Sequence, residues 1–223
     1  RCPQTLCQPP LIMEKFVTIE RAIEIARQTP LQSSVETIPI QESLGRILAN
    51  DLSSKVDDPA FDNSAMDGWA VRSQDKTRIE VGQTSAGDAP TKIGPGEAVR
   101  IMTGAPIPDG ADAIVMVEDG LQGEARTHFI RRQGENLQVG KVALSKGQQM
   151  TPAAISLAAT MGHDTIPVRM KLRVAVISTG DELIQPGLEL SPSQIYESNS
   201  YGLFALLKKI GCEPIHYDVV QDS

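Results

Sequence analysis

Between residues 68 and 132 the chain has no stretch that a helix of any length could use. Short apolar runs at residues 69–71, 79–81, 98–102, 113–117 and 127–130 alternate with turns built on Gly and Pro. The turns include Gly87-Asp88-Ala89-Pro90, Gly94-Pro95-Gly96, Gly104-Ala105-Pro106 and Pro108-Asp109-Gly110. Strand-length runs at fairly even spacing between such turns predict a small all-β barrel or sandwich. At the head of this span stands Asp-Asn-Ser-Ala-Met-Asp-Gly-Trp-Ala-Val-Arg, residues 62–72. Asn63, Ser64 and Gly68 let the backbone bend sharply, and Trp69, the one tryptophan of the chain, is expected to anchor the bend against apolar neighbours. A polar turn pinned in this way is rigid enough to present a carboxylate, Asp62 or Asp67. Taken alone, the same residues also suit a solvated acidic turn.

The flanks have a different texture. Residues 17–28 read as a helix, with Thr18 as cap, Ile19, Ala22, Ile23 and Ala26 at helical spacing, and Pro30 as the stop. Residues 33–40 read as a strand and 43–49 as a short helix. Beyond residue 136, Thr151-Pro152 is a helix start with Thr as cap and Pro at the first helical position, and Gly162 ends that helix. Residues 172–180 form a continuous β-branched run, the pattern of a strand buried on both faces. A polar loop over 181–200, a helix over 201–210 closed by Lys208, Lys209 and Gly211, and a strand over 215–220 complete one βαβ unit. One such unit cannot bury both faces of a parallel sheet, so the sheet reads as incomplete. Residues 1–12 carry no periodicity and read as an unstructured extension before a natural start at Met13. Both ends read as cut.

Composition narrows the function. A formal charge of −7 with 4% aromatic residues argues against a nucleic-acid surface. An anionic substrate would need a divalent cation or a local group of Lys and Arg to offset that field. Cys2, Cys7 and Cys212 make neither a disulfide framework nor a zinc site, and His128, His163 and His216 have no ligand spacing. A reducing cytoplasm is the simplest compartment. The longest apolar stretch, near residues 153–161, is too short to span a bilayer, and no signal-peptide pattern opens the chain.

In an open α/β sheet, ligands bind beyond the carboxyl ends of the strands. The buried-type run ends there in Ser178-Thr179-Gly180-Asp181-Glu182. Small and hydroxyl residues let backbone amides approach an anion, although an ordinary capped turn has the same composition. Neither a dinucleotide fingerprint nor a Walker loop is present. Ser198-Asn199, ahead of the next helix, is a second anion-facing terminus or merely a cap. Thr103 exposes a hydroxyl after a strand, or simply ends a hairpin. Arg131 and Arg132 beside Glu135 could hold a phosphate or neutralise that glutamate. No Ser-His-Asp or Cys-His set can be assembled. Carboxylates and hydroxyls at loop ends suit metal-assisted chemistry on an anionic group.

Four motifs in order then carry a resemblance: Asp-Asn-Ser-Ala-Met-Asp-Gly-Trp-Ala-Val, Arg-Ile-Met-Thr-Gly-Ala-Pro-Ile-Pro, Gly-Ala-Asp-Ala-Ile-Val-Met-Val-Glu and Ser-Thr-Gly-Asp-Glu-Leu. From about Val17 onward the chain resembles the N-terminal half of the molybdopterin molybdenumtransferase (MoeA) family, related to the E domain of gephyrin. The resemblance implies a multidomain α+β and α/β fold. Its parts are an elongated discontinuous domain (residues 13–33 and 136–170), a small β-rich domain (34–135) and the start of an α/β three-layer parallel-sheet domain (171–223). It implies insertion of molybdenum from molybdate into adenylylated molybdopterin with release of AMP, a magnesium or similar divalent ion whose ligands stay unknown, and a homodimer with a cleft between the β domain of one subunit and the α/β domain of the other. Asp67 and Glu182 match the family's catalytic carboxylates. Thr103, Arg132, Glu135, Asn136, Ser178, Thr179, Gly180, Asp181 and Asn199 fall on its substrate-binding motifs. Asn136 departs from the pattern, standing where the family has Asp. Motifs of the family's second half are not in this sequence, so the chain alone is expected to be inactive. The alternative is a non-catalytic molybdopterin-binding or dimerisation module, and a further rival is another divalent-metal enzyme acting on a nucleotide. Neither a nucleic acid nor a membrane is expected as partner.

Deleting residues 1–12 is expected to leave the melting temperature nearly unchanged. A drop of many degrees in a thermal scan would show instead that the segment packs.

Overall fold

Thr18 and the apolar rhythm after it do make a helix. The computed structural model describes residues 17–28, 34–217 and 219–220. In the first of these spans lies α1, Ile19–Gln28, where the Arg21 amide donates to Thr18 Oγ1 at 3.2 Å as a cap. The chain from Val35 onward forms a separate compact unit. The stop at Pro30, the strand start at Ser33, the extension over residues 1–12 and the start at Met13 lie outside the described residues.

The second unit opens with β1 (Val35–Pro39) and a 3-10 turn, Ile40–Glu42. The short helix expected over 43–49 does not form. Gly45 takes φ +76°, which ends any helical run, and Ile47 and Leu48 instead make isolated bridges to Gln149 and Val168. Burying Leu48 completely outweighs the weak helix propensity of that stretch. Then come β2 (Leu52–Ser53), β3 (Asn63–Ser64), β4 (Gly68–Val71), β5 (Ile79–Thr84), β6 (Glu97–Ile101) and β7 (Ala113–Met116). The strand expected at 127–130 is a 3-10 turn, Thr127–Phe129, followed by β8 (Ile130–Arg131); only Arg126 just before it bridges to Ile114.

Four of these strands form an open mixed sheet in the order β5-β6-β4-β7. β4 is antiparallel to both its neighbours, while β5 runs parallel to β6. Side chains alternate between faces along a strand, and here both faces of β4, β6 and β7 are covered, while the edge strand β5 is exposed along all but Thr84. Ala70, Ile101 and Ile114 join Ala105 and Ile130 in one buried cluster, and Val71, Ala98, Ala113 and Val115 form another. β3 pairs antiparallel with β8.

Continuing along the chain are β9 (Val142–Leu144), α2 (Pro152–Thr160) and β10 (Thr165–Arg169). Thr151 Oγ1 accepts from the Ala154 amide at 3.2 Å, Pro152 opens the helix, and Gly162 leaves it at φ +84°. β1 pairs with β10 and β2 with β9, both antiparallel. Their shared core holds Ile38, Leu48, Leu52, Leu144, Met150, Ile166 and Val168, roofed by Ala154 and Ala158 of α2. Residues 35–53 therefore pack with residues 142–169.

The βαβ unit is present. β11 (Arg173–Val176) is followed by β12 (Leu183–Ile184), β13 (Ile195–Tyr196), α3 (Asn199–Lys209) and β14 (Glu213–His216), with β11 parallel to β14. Gly211 at φ +87° closes α3 as expected. The run at 172–180 is not buried on both faces: only Val176 of β11 is buried. With one parallel partner and one crossover helix among the described residues, the second face has nothing packed on it. The second strand ends at His216 rather than Val220, although Val220 bridges to Thr179. The loop between carries the short parallel pair β12–β13. A β-rich part joined to the start of an α/β part is the expected fold class.

Gly68 sits where β4 passes closest to β7. A Cβ there would stand 1.9 Å from the Val115 carbonyl oxygen. Gly68→Ala is expected to destabilise the second unit by about 3 kcal/mol, measurable by urea unfolding, because backbone rather than a side chain must yield.

Candidate functional site

The register of the central sheet builds the first part of the site. Gly68 lies opposite Ile101 in the β4–β6 pair, so Asp67 and the residues just past β6 emerge side by side. Thr103 donates to Asp67 Oδ1 twice, from its amide at 2.7 Å and from its hydroxyl at 2.8 Å. These bonds hold the Asp67 carboxyl below its ordinary pKa, the Thr103 amide contributing most, with Arg100 adding a favourable charge. Asp67 and Thr103 are both exposed, so the carboxylate is ionised, fixed and open to a ligand.

The two motifs behind this pair are laced together. The Gly104 amide donates to the Ser64 carbonyl at 2.8 Å, Ser64 N to Ala105 O at 3.1 Å, and Ile107 N to Asp62 O at 3.0 Å. The Ser64 hydroxyl turns back on the Met66 carbonyl at 2.6 Å. Gly104 takes φ +82°, which lets the chain turn directly after Thr103. Trp69 is held on its polar sides as well as by packing: its indole N–H donates to Glu80 at 2.6 Å and the Arg100 guanidinium stacks 4.5 Å from its ring.

A second group gathers Arg132, Glu135 and Asn136. Arg132 donates to Asp62 Oδ2 at 2.6 Å, and the Gln133 amide to Asp62 Oδ1 at 2.7 Å. Burial opposes the ionised form of Asp62, but these bonds and the Arg132 charge prevail and hold its pKa low. Glu135 receives the Arg132 amide at 2.8 Å and Arg131 Nε at 3.2 Å. Of the two roles open to the arginines, pairing with carboxylates is the one seen. Asn136 Nδ2 donates to Asp58 Oδ2 at 3.0 Å. A carboxylate in its place would face Asp58 as a like charge, so the amide is matched to its neighbour. Asp57 belongs to the same group, accepting from the Val139 amide at 2.7 Å and from the Gln133 side chain at 2.8 Å.

The third group sits at the carboxyl end of β11. The carboxylate of Glu182 lies over Gly180, where a Cβ would come within 2.6 Å of Oε2. Gly180 has φ +142° and its amide donates to Val220 at 3.2 Å. Thr179 and Asp181 flank it, both exposed. Ser178 donates to Glu197 Oε1 at 3.0 Å. The terminus at Asn199 is not simply anion-facing: Ser198 makes no side-chain cap, and Glu197 takes the Ser200 amide at 2.7 Å and the Ser200 hydroxyl. His216 lies 3.1 Å from that hydroxyl. Glu197 is 3% exposed. Its burial raises the pKa, and the Ser200 and Ser178 bonds with the His216 charge more than offset that, leaving it low. Sequence reasoning placed Glu197 in a polar loop and missed it; a Glu three residues before a Ser at a helix start was the available signal. Asp67 and Glu182 share no hydrogen bond. Among the described residues no group of three or more His, Cys, Asp or Glu could hold a metal ion, and no helix is long and apolar enough to cross a membrane.

A β-rich part that fixes one open carboxylate, followed by a parallel βαβ start with an acidic Gly turn, defines a two-part α+β and α/β protein. Comparison with known proteins agrees. The family described as MoeA N-terminal region (domain I and II) matches residues 17–162, and a probable molybdopterin binding domain matches residues 175–223. The chain belongs to the MoeA family. It is 42% identical to a molybdopterin molybdenumtransferase of Synechococcus elongatus over 91% of this chain and 55% of that one, and 38% identical to that of Haemophilus influenzae over 93% and 55%. A crystal structure of a molybdopterin biosynthesis MoeA protein from Pyrococcus horikosii superposes with a TM-score of 0.80 at 33% identity, covering 93% of this chain and 58% of that one. The chain thus spans about half the length of the curated relatives it matches.

Glu197 yields a pH signature. Its folded pKa lies below the ordinary 4.5, so its contribution to stability is complete above pH 4.5 and is lost as the pH falls through the lower folded value. Glu197→Gln is expected to cost about 2 kcal/mol at neutral pH, with the gap to the native chain shrinking below pH 4.5. Urea unfolding at stepped pH checks this; a gap that persists unchanged into acid would remove the ionised carboxylate from that role.

Proposed function

We propose that this chain supplies part of the machinery that inserts molybdenum from molybdate into adenylylated molybdopterin with release of AMP. The observation that carries the reading is the Asp67–Thr103 clasp, an ionised and exposed carboxylate locked by two hydrogen bonds in a chain of the MoeA family. In this reading Asp67 and Glu182 act at the reacting groups. Thr103 keeps Asp67 oriented. Ser178, Thr179, Gly180, Asp181 and Asn199 bind the substrate from the α/β side, and Arg132, Glu135 and Asn136 bind it from the β side. The two sides meet between subunits of a homodimer in the cytoplasm.

Magnesium fits this arrangement as an ion held by one carboxylate together with substrate phosphates, its usual mode, because the chain has no cage of three donors among the described residues. Asp67 would hold it, since Thr103 engages only Oδ1. When bound, the ion would neutralise phosphate charge. The alternative reading is a molybdopterin-binding or dimerisation module without catalysis. AMP release from adenylylated molybdopterin separates the two, and a molybdate requirement separates both from another divalent-metal enzyme acting on a nucleotide.

In a full-length protein containing this chain, Asp67→Asn is expected to leave the fold intact and to cut molybdenum insertion at least about tenfold, roughly 1.4 kcal/mol of barrier. Asn63, Ser64 and Gly68 keep the local backbone bonded without the charge. Asp62→Asn, by contrast, is expected to act on stability through Arg132 and Gln133. A folded Asp67→Asn enzyme with undiminished insertion would return the turn to the solvated-surface reading.

A further inference from the structure

The amino end of the parallel strands carries a second concave surface. It encloses about 550 Å³, within the range of small-molecule sites. Its walls are the connection into β11, the last turn of α3 and the Gly45 turn. The loop from Ser178 to Glu182 leaves the carboxyl end of the same strand, so the groove and that loop lie at opposite ends of β11.

Charge sets this groove apart. Arg46, Arg169, Lys171, Lys208 and Lys209 line it and no Asp or Glu does, although acids outnumber Lys and Arg by 28 to 21 in the chain. Part of this charge is committed to structure. Arg46 donates to Glu36 and, at 2.7 Å, to the Arg169 carbonyl, and the Lys208 ammonium lies 4.8 Å from the Phe204 ring. The closing turn of α3 satisfies its own carbonyls: Gly211 N donates to Lys208 O at 3.1 Å and Cys212 N to Leu207 O at 2.9 Å. Lys171 and Lys209 are exposed, and Ile47, Leu172 and Ile210 add apolar surface to the same lining.

We propose that this groove binds a phosphate-bearing small molecule. Lys171 and Lys209 hold the phosphate as point charges, and Ile47, Leu172 and Ile210 receive the apolar part of the ligand. A groove lined by basic residues and by no Asp or Glu, with Glu36 reaching only Arg46, concentrates anions locally against the overall field of an acidic chain. The site is independent of the reaction assigned to Asp67 and Glu182, and a bound ligand there would brace the Gly45 turn against α3.

Calorimetric titration of the 223-residue chain with AMP, inorganic phosphate and adenosine tests this. AMP is expected to bind saturably, phosphate more weakly and adenosine not at all. The Lys171→Gln/Lys209→Gln double variant should weaken the AMP site at least tenfold with an unchanged melting curve, while Asp67→Asn and Ser178→Ala leave it intact. Phosphate binding as tightly as AMP would keep the anion site and assign it to the free ion. Each single lysine variant should weaken binding severalfold, which decides the matter if the double variant melts differently. Absence of saturable binding by both AMP and phosphate overturns the proposal. So does an undiminished affinity in the lysine variants, or loss of the site in Asp67→Asn or Ser178→Ala.

Discussion

The close approach of β4 to β7 at Gly68 underlies the β-rich part of this protein. With no side chain at that position, the Val115 carbonyl comes within 1.9 Å of where a Cβ would stand. That contact lets β4 run between β6 and β7 with both faces covered, Ala70 in one cluster and Val71 in the other. The register that follows, Gly68 opposite Ile101, delivers Asp67 to Thr103. The carboxylate is therefore oriented by the sheet itself rather than by a flexible loop, which is the kind of rigid support that binding and catalytic groups need.

Carboxylates dominate the candidate site, and each is handled differently. Asp67 is exposed and bonded on one oxygen only by Thr103. Asp62 and Glu135 are tied to arginines and backbone amides. Glu197 is buried and bonded on both oxygens by Ser178 and Ser200. The buried and paired acids hold loops in place, while the open one can meet a ligand. Glu197 in particular links the end of β11 to the start of α3, so the loop that presents Glu182 depends on a residue that never faces it in sequence.

The hydrophobic cores explain why the chain alternates between textures. Residues 35–53 and 142–169 close on one core through β1–β10 and β2–β9, while β4 to β7 form a sheet of their own and β3 pairs with β8. An insertion of this kind needs its two ends close together, and the antiparallel pairs that flank it provide that.

Much of this was legible from residue order. Gly and Pro turns marked the strands of the central sheet because those residues alone relieve or fix φ locally. Thr151-Pro152 and Gly162 bounded α2, Gly211 closed α3, and the motif around Asp67 carries the resemblance to the family. Local signals failed where distant contacts outweighed them. Residues 43–49 have helical composition, yet Leu48 is drawn into a core shared with Val168. The run at 172–180 has the composition of a doubly buried strand, but burial depends on what packs against it, and within β11 only Val176 is buried. The pairing of Asp67 with Thr103, of Asn136 with Asp58 and of Glu197 with Ser178 joins residues 36, 78 and 19 positions apart. Side-chain type and local backbone preference are written in neighbouring residues, whereas which carboxylate stays open is decided by the register of strands far apart in the chain.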